Sequence, residues 1–351
     1  MKHNCDRAHR FPVVHLPVGW LLAACALALA AGCSSKTEPR ASSLTTGVEK
    51  MVATTGSASK GTIGVSVLTL RNPFFKVIGD NIEAELAKHS YKTIVADGAD
   101  DIEQQRRQVQ DFITKKVSAI VLCPVDAVAI GPVIRLANDA GIPVFTADLG
   151  CLDPEAQVVS HIATDNLSGG KEAGRAMIEA LGDAGGKILI LDRKKAESCL
   201  LRVQGFKEVI DEHNAARESG KIEIVAELPG EGEENTGFQV TQDALQAHGD
   251  IVGIFAINDP SALGARAALE KADKADQVKI VGFDGQIDGK EAIRDGKIYA
   301  DPIQFPDKIG QLTAQTIVKY FDGEEVPKEQ LIPTKLYRKE DAENDPELTQ
   351  K

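Results

Sequence analysis

Residues 62–97 read TIGVSVLTLRNPFFKVIGDNIEAELAKHSYKTIVAD. Ile63-Gly64-Val65-Ser66-Val67 is a short β-branched run, and Thr93-Ile94-Val95-Ala96 is a second. Between them Phe75, Ile78, Ile82 and Leu86 recur at three- and four-residue spacing. Side chains of a strand alternate between faces and those of a helix return every 3.6 residues, so this order predicts strand, helix, strand. That unit is the signature of a parallel sheet with crossover helices.

The pattern repeats outward. Ala119-Ile120-Val121-Leu122 and Pro143-Val144-Phe145-Thr146 predict further strands, with Val109, Phe112 and Ile113 marking a helix between them and the first pair. A second set begins after His161-Ile162-Ala163-Thr164, with strands at Ile188-Leu189-Ile190-Leu191, Ile222-Glu223-Ile224-Val225, Val252-Gly253-Ile254-Phe255 and Lys279-Ile280-Val281-Gly282. Near-continuous apolar runs are expected of strands covered on both faces. The fold predicted is α/β, two similar doubly wound lobes in tandem.

In open parallel sheets, ligands bind beyond the carboxyl ends of the strands. The residues found there are Asn72-Pro73-Phe74-Phe75, Asp126, Asp148, Arg202, Asn258-Asp259, Asp284 and Gln304. Carboxylate, amide and guanidinium groups each make two directional hydrogen bonds to neighbouring hydroxyls, and aromatic faces cover the C–H patches of a sugar ring. The set suits a neutral polyol. For any single residue a plainer reading stands beside this one: Asp and Asn after strands serve as helix N-caps, and a lone Phe belongs to a core.

The opening residues differ from the rest. Lys2, Arg7 and Arg10 precede the apolar run Trp20 to Ala31, which Gly32-Cys33 closes. The run is shorter than the roughly 20 residues a spanning helix needs, and fits a signal peptide. Ala30-Ala31-Gly32-Cys33 resembles the lipobox of bacterial lipoproteins, with Ala30 where Leu is usual, and implies lipidation at Cys33. Residues 34–60, rich in Ser, Thr and Ala, read as a flexible tether from membrane to folded domain. The tail, 341–351, is charged and aperiodic and is expected to be disordered.

A net charge of −12 argues against a nucleic-acid partner. Of six cysteines, Cys5 and Cys25 leave with the signal segment and Cys33 is the proposed anchor. Cys123 reads as a buried free thiol. A Cys151 to Cys199 bridge is conceivable outside the cytoplasm, although it would join opposite lobes and obstruct opening. No Gly-x-Gly-x-x-Gly turn follows the first strand, where Leu68-Thr69-Leu70-Arg71-Asn72 stands, and no metal-ligand spacing or nucleophile motif appears. The expectation is a binding protein without catalytic residues, metal or cofactor.

The blocks Asn72-Pro73-Phe74-Phe75, Val158-Val159-Ser160-His161-Ile162-Ala163-Thr164-Asp165-Asn166, Asn258-Asp259 and Val281-Gly282-Phe283-Asp284-Gly285 occur in the order found in the periplasmic ribose-binding proteins, which this chain resembles from Thr62 to Arg338. The resemblance implies a type I periplasmic binding fold: two Rossmann-like lobes joined by a three-strand hinge, crossing near Thr164, Gln304 and Leu336. The leader reading gives a signal peptide 1–32 and a tether 33–60, and the resemblance implies a first lobe of 61–164 plus 305–335 and a second of 165–304 plus 336–340. It implies sugar contacts at Asn72, Phe74, Phe75, Asp148, Arg202, Asn258, Asp284 and Gln304, with Phe74 stacking on the ring. Three departures stand out: Leu68 replaces a Ser, Leu149 an Arg and Gly232 a second stacking Phe. Replacement polar groups would come from Arg193, Lys194 or Glu197.

The function implied is that of a sugar-binding lipoprotein of an ABC transporter. It is expected to face the outside of the cytoplasm as a monomer, to close by a hinge on a ribose-like pentose or related polyol, and to deliver it to a membrane permease. A sensor subunit presenting the sugar to a chemoreceptor or sensor kinase is the alternative. A transcription regulator of the lactose-repressor type shares the architecture, but needs a helix-turn-helix where this chain has its apolar leader.

Overall fold

The computed structural model describes residues 59–349, and the elements below are those of the described residues. The leader, Cys33 and the tether as far as residue 58 lie outside them. Lys60 already belongs to the fold, its N–H donating to the Ser90 carbonyl at 2.9 Å.

The first half alternates strand and helix: β1 (Gly61–Val67), α1 (Pro73–Lys88), β2 (Tyr91–Asp97), α2 (Ile102–Thr114), β3 (Ala119–Leu122), α3 (Gly131–Asp139), β4 (Val144–Ala147) and β5 (His161–Thr164). The second half runs α4 (Asn166–Leu181), β6 (Gly186–Asp192), α5 (Glu197–Ala215), β7 (Ile222–Pro229), α6 (Glu234–Ala247), β8 (Ile251–Ala256), α7 (Asp259–Lys271), β9 (Lys279–Val281) and α8 (Ile287–Arg294). It is followed by β10 (Asp301–Ile303), α9 (Pro306–Phe321), β11 (Glu329–Ile332), β12 (Lys335–Tyr337), α10 (Lys339–Glu343) and α11 (Pro346–Thr349).

The strands form two parallel sheets, ordered β11-β5-β4-β3-β1-β2 and β7-β6-β8-β9, plus an antiparallel pair β10-β12. Ile63, Val65, Val67, Ile120 and Leu122 are fully or almost fully buried, as are Ile188 to Leu191 in β6. This is the double coverage that βαβ crossovers impose. The chain leaves the first sheet after β5 for α4, which packs on α5, β8 and β9. It returns after β10 through α9, which packs on α1, β4 and β5, then adds β11 beside β5 and crosses once more to pair β12 with β10.

The tail corrects the sequence reading. Residues 339–343 and 346–349 are helical, with Ala342 and Leu348 buried against α8 and its neighbours. Lys290 of α8 pairs with Asp345 at 3.2 Å and Glu347 at 2.6 Å, and the Tyr337 hydroxyl donates to Asp345 at 2.8 Å. Two apolar anchors six residues apart make no readable period, and their charged neighbours find partners on a distant helix.

Cys123, Cys151 and Cys199 are all free, so the conceivable bridge between the last two is not formed.

Candidate ligand-binding cleft

The carboxyl ends of both parallel sheets face a common cleft enclosing a cavity of about 270 Å³. All eight residues expected at a ligand, Asn72, Phe74, Phe75, Asp148, Arg202, Asn258, Asp284 and Gln304, line it. Asp126 does not. Its carboxylate accepts from the Val128 and Ala129 N–H groups at 3.0 and 2.8 Å and so fixes the turn after β3.

For two residues both sequence readings hold together. Asn72 caps α1, its Oδ1 accepting from Phe74 N–H at 2.9 Å with Pro73 beginning the helix. Asn258 caps α7 in the same way through Ser261 N–H at 3.1 Å, and donates Nδ2 to the Gly232 carbonyl at 3.0 Å. The caps anchor the amides where each helix meets the cleft. Phe74 and Phe75 follow Asn72 on the first turn and meet edge to face, with ring centroids 5.4 Å apart.

Arg202 is the most heavily braced group. Its Nε donates to Asn166 at 2.8 Å, and its Nη1 donates to the Ile257 carbonyl at 2.7 Å and to Asp284 at 3.0 Å. The Phe283 ring lies 3.9 Å beneath the guanidinium. Gln304 donates to the same Asp284 oxygen at 2.6 Å and accepts from the Thr164 hydroxyl at 2.6 Å. This network ties the end of β5, the start of α4, α5, the loop after β9 and the chain after β10 into one rigid wall. Asn166 and Thr164 escaped the sequence reading as site residues. Their polar atoms face other side chains, and the only sign of them is a Thr-Asp-Asn run between strand and helix.

The two acids on opposite sides of the cleft share a backbone trait. Asp148 has φ of 65° and Asp284 of 105°, a region that L-residues enter at a cost and that clusters at functional sites. Burial, aided by the charges of Asp284 and Glu197 and opposed by Arg202, pushes the Asp148 carboxyl up to about 7. Its Oδ1 is buried without a hydrogen-bond partner in the protein. Burial also raises the Asp284 pKa, against the pull of Arg202 and Gln304.

Leu68, Leu149 and Gly232, the departures from the ribose-binding pattern, all line the cavity. Of the substitute polar groups, Arg193 lines it and is 8% exposed. Lys194 turns outward to Glu227 at 3.0 Å with its side chain 71% exposed. Glu197, half-buried, takes the Gly150 N–H. The spacing of adjacent charged residues gave no way to rank them, because only the local backbone decides which side chain turns in.

A periplasmic binding protein domain model matches residues 63–325. The ribose import binding protein RbsB of Escherichia coli (strain K12) is 36% identical over 283 residues, spanning 80% of this chain and 92% of that protein. An ABC transporter solute binding protein from Agrobacterium vitis, solved with bound D-fucose, is 30% identical, covers 82% of this chain and 99% of its own, and has a TM-score of 0.74. One from Bacillus halodurans C-125 with bound myo-inositol is 27% identical, covers 83% and 98%, and has a TM-score of 0.74. These relatives are binding proteins of ABC transporters, not enzymes. With its paired parallel sheets, its intervening cleft and these matches, the chain belongs to the ribose-binding-like family of periplasmic sugar-binding proteins.

Proposed function

We propose that the protein captures a neutral monosaccharide or related polyol in this cleft and delivers it to the membrane permease of an ABC importer. One observation carries the reading: planar polar groups from both sheets and two phenylalanines converge on a single cavity of about 270 Å³. That volume falls just below the ~300–1,000 Å³ usual for drug-sized ligands and suits one sugar ring. In this reading Phe74 and Phe75 cover the ring's C–H face. Asp148 and Asn72 take hydroxyls from one side, Arg202, Asn258 and Asp284 from the other, and Gln304 sits where the chain crosses. A ligand bridging both sides shifts the population towards the closed form.

The moving lobes would be 61–164 with 305–335 and 165–304 with 336–340. The protein would act as a monomer in the periplasm, held to the membrane by a lipid on Cys33. Leu68 and Leu149 favour a ligand that presents carbon to them, since an unpaired buried hydroxyl costs about 1–3 kcal/mol.

Calorimetric titration of protein beginning near Lys60 against pentoses, hexoses, deoxysugars, inositols and sugar alcohols tests this. Tight binding of one compound, abolished by Asp148→Ala, is expected. Silence across the whole panel would sink the sugar reading.

A further inference from the structure

Five consecutive residues, 193–197, reach across the mouth of the cleft from the end of β6. Arg193 Nη2 donates to Asp100, in the loop after β2, at 2.6 Å. The Lys195 carbonyl accepts from Ala127 N–H, after β3, at 2.8 Å. Glu197 takes the Gly150 N–H, after β4. One segment of the second sheet thus holds three loops of the first. Only the Arg193 contact is an ion pair between largely shielded side chains, 9% and 28% exposed. The other cross-cleft charge pair, Arg71 with Glu233 at 3.9 Å, is 68% and 48% exposed and counts for little.

Arg193 is also a wall of the cavity. Gly232 has φ of 72° and no side chain; a Cβ there would come within 3.2 Å of Asn258 Nδ2 and 3.7 Å of Arg193 Cδ. The Arg193 stem therefore fills the space beside Gly232, and its Nη1 is fixed by the Glu231 carbonyl at 2.9 Å. Its Nε–H is buried with no acceptor in the protein. Buried donors are normally satisfied, and a ligand oxygen at the cavity would satisfy this one.

We infer that Arg193 is a specificity-determining residue that also ties the cleft shut: its Nε–H reads an acceptor oxygen of the bound sugar while its Nη2 holds Asp100 across the opening. The specificity half rests on the sugar-binding reading above, and the tie rests on the cross-cleft geometry alone. The role needs arginine, whose rigid planar fork serves three directions at once; a lysine ammonium supplies no fixed fork.

The test compares wild type, Asp100→Asn, Arg193→Lys and Arg193→Met by calorimetry over the sugar panel and by stopped-flow dissociation of the preferred sugar. Truncating one partner of a shielded pair acts chiefly on dissociation, so Asp100→Asn should speed release by roughly ten- to a hundredfold while leaving the order of preference among the sugars intact. Arg193→Lys should change that order, and Arg193→Met should do both. Small-angle scattering without sugar separates the two halves: if wild type binds nothing on the panel, the sugar reading fails, yet a larger radius of gyration in Asp100→Asn still supports the tie. Equal dissociation rates for wild type and Asp100→Asn overturn the tie, as do equal radii where no sugar binds. An unchanged order of preference in Arg193→Lys overturns the specificity role.

Discussion

Asp148 concentrates the physical chemistry of the cleft in one side chain. Its pKa is pushed from 3.8 to about 7, chiefly by burial. The native protein therefore keeps a proton that the unfolded chain has lost above about pH 4, and this residue's contribution to stability declines as pH climbs towards 7 and is level beyond. Hydroxyls donating to the carboxylate favour its charged form, so sugar binding should expel a proton near neutrality. Affinity should rise by about tenfold between pH 6 and 8, and calorimetric enthalpies should vary with the buffer's ionisation heat; a pH-independent affinity would contradict this. Asn166→Ala should leave Arg202 Nε unpaired and cost about 1–3 kcal/mol of binding with little change in fold, read by titration and circular dichroism. At this scale the sequence disclosed the residues whose polar atoms stand at strand ends, from Asn72 through Gln304. It hid Asn166 and Thr164, which work through other side chains, and could not choose Arg193 over Lys194.

At the scale of elements, the alternation from β1 to β9 was legible because most of its strands carry short apolar, β-branched runs. β11 was not, since Glu329, Gln330, Leu331 and Ile332 lie on an edge with exposed and half-buried positions alternating. Nor was β10, which contains Asp301-Pro302 and shows no strand pattern until β12 pairs with it. The crossing of α4 and α5 is legible only in retrospect. A Cβ on Gly170 would lie 2.1 Å from the Arg202 carbonyl oxygen, and one on Gly205 would lie 2.1 Å from that of Leu167. The helices touch backbone to backbone at the very turn that carries Arg202. Gly170→Ala should therefore force them apart, costing about 1–3 kcal/mol in an overpacked interface. Thermal melts should show the lost stability, and weakened sugar binding should accompany it because Arg202 rides on the displaced helix. An alanine variant with native melting and affinity would show that the crossing can relax.

Across the whole molecule, the segment after Arg338 clamps the second sheet's outer helix through Leu348, Ala342 and the Lys290 pairs. Deleting it should lower stability by about 2–3 kcal/mol, near the value of burying one large aliphatic side chain. Sugar affinity should be kept, because no residue of the segment lines the central cavity; unchanged denaturation midpoints would refute the packing role. Cys199 brings a different consequence. It lines the cavity from the first turn of α5, is 5% exposed, and burial pushes its thiol up to about 11. In the hinge-closure reading proposed above, the sulfur is protonated and out of reach while the mouth stays shut, and each opening that parts the two sheets would bathe it in water and restore its nucleophilicity. The molecule thus carries its own clock: the rate at which an alkylating reagent consumes this one thiol counts how often the jaws gape, and a bound sugar should slow the count.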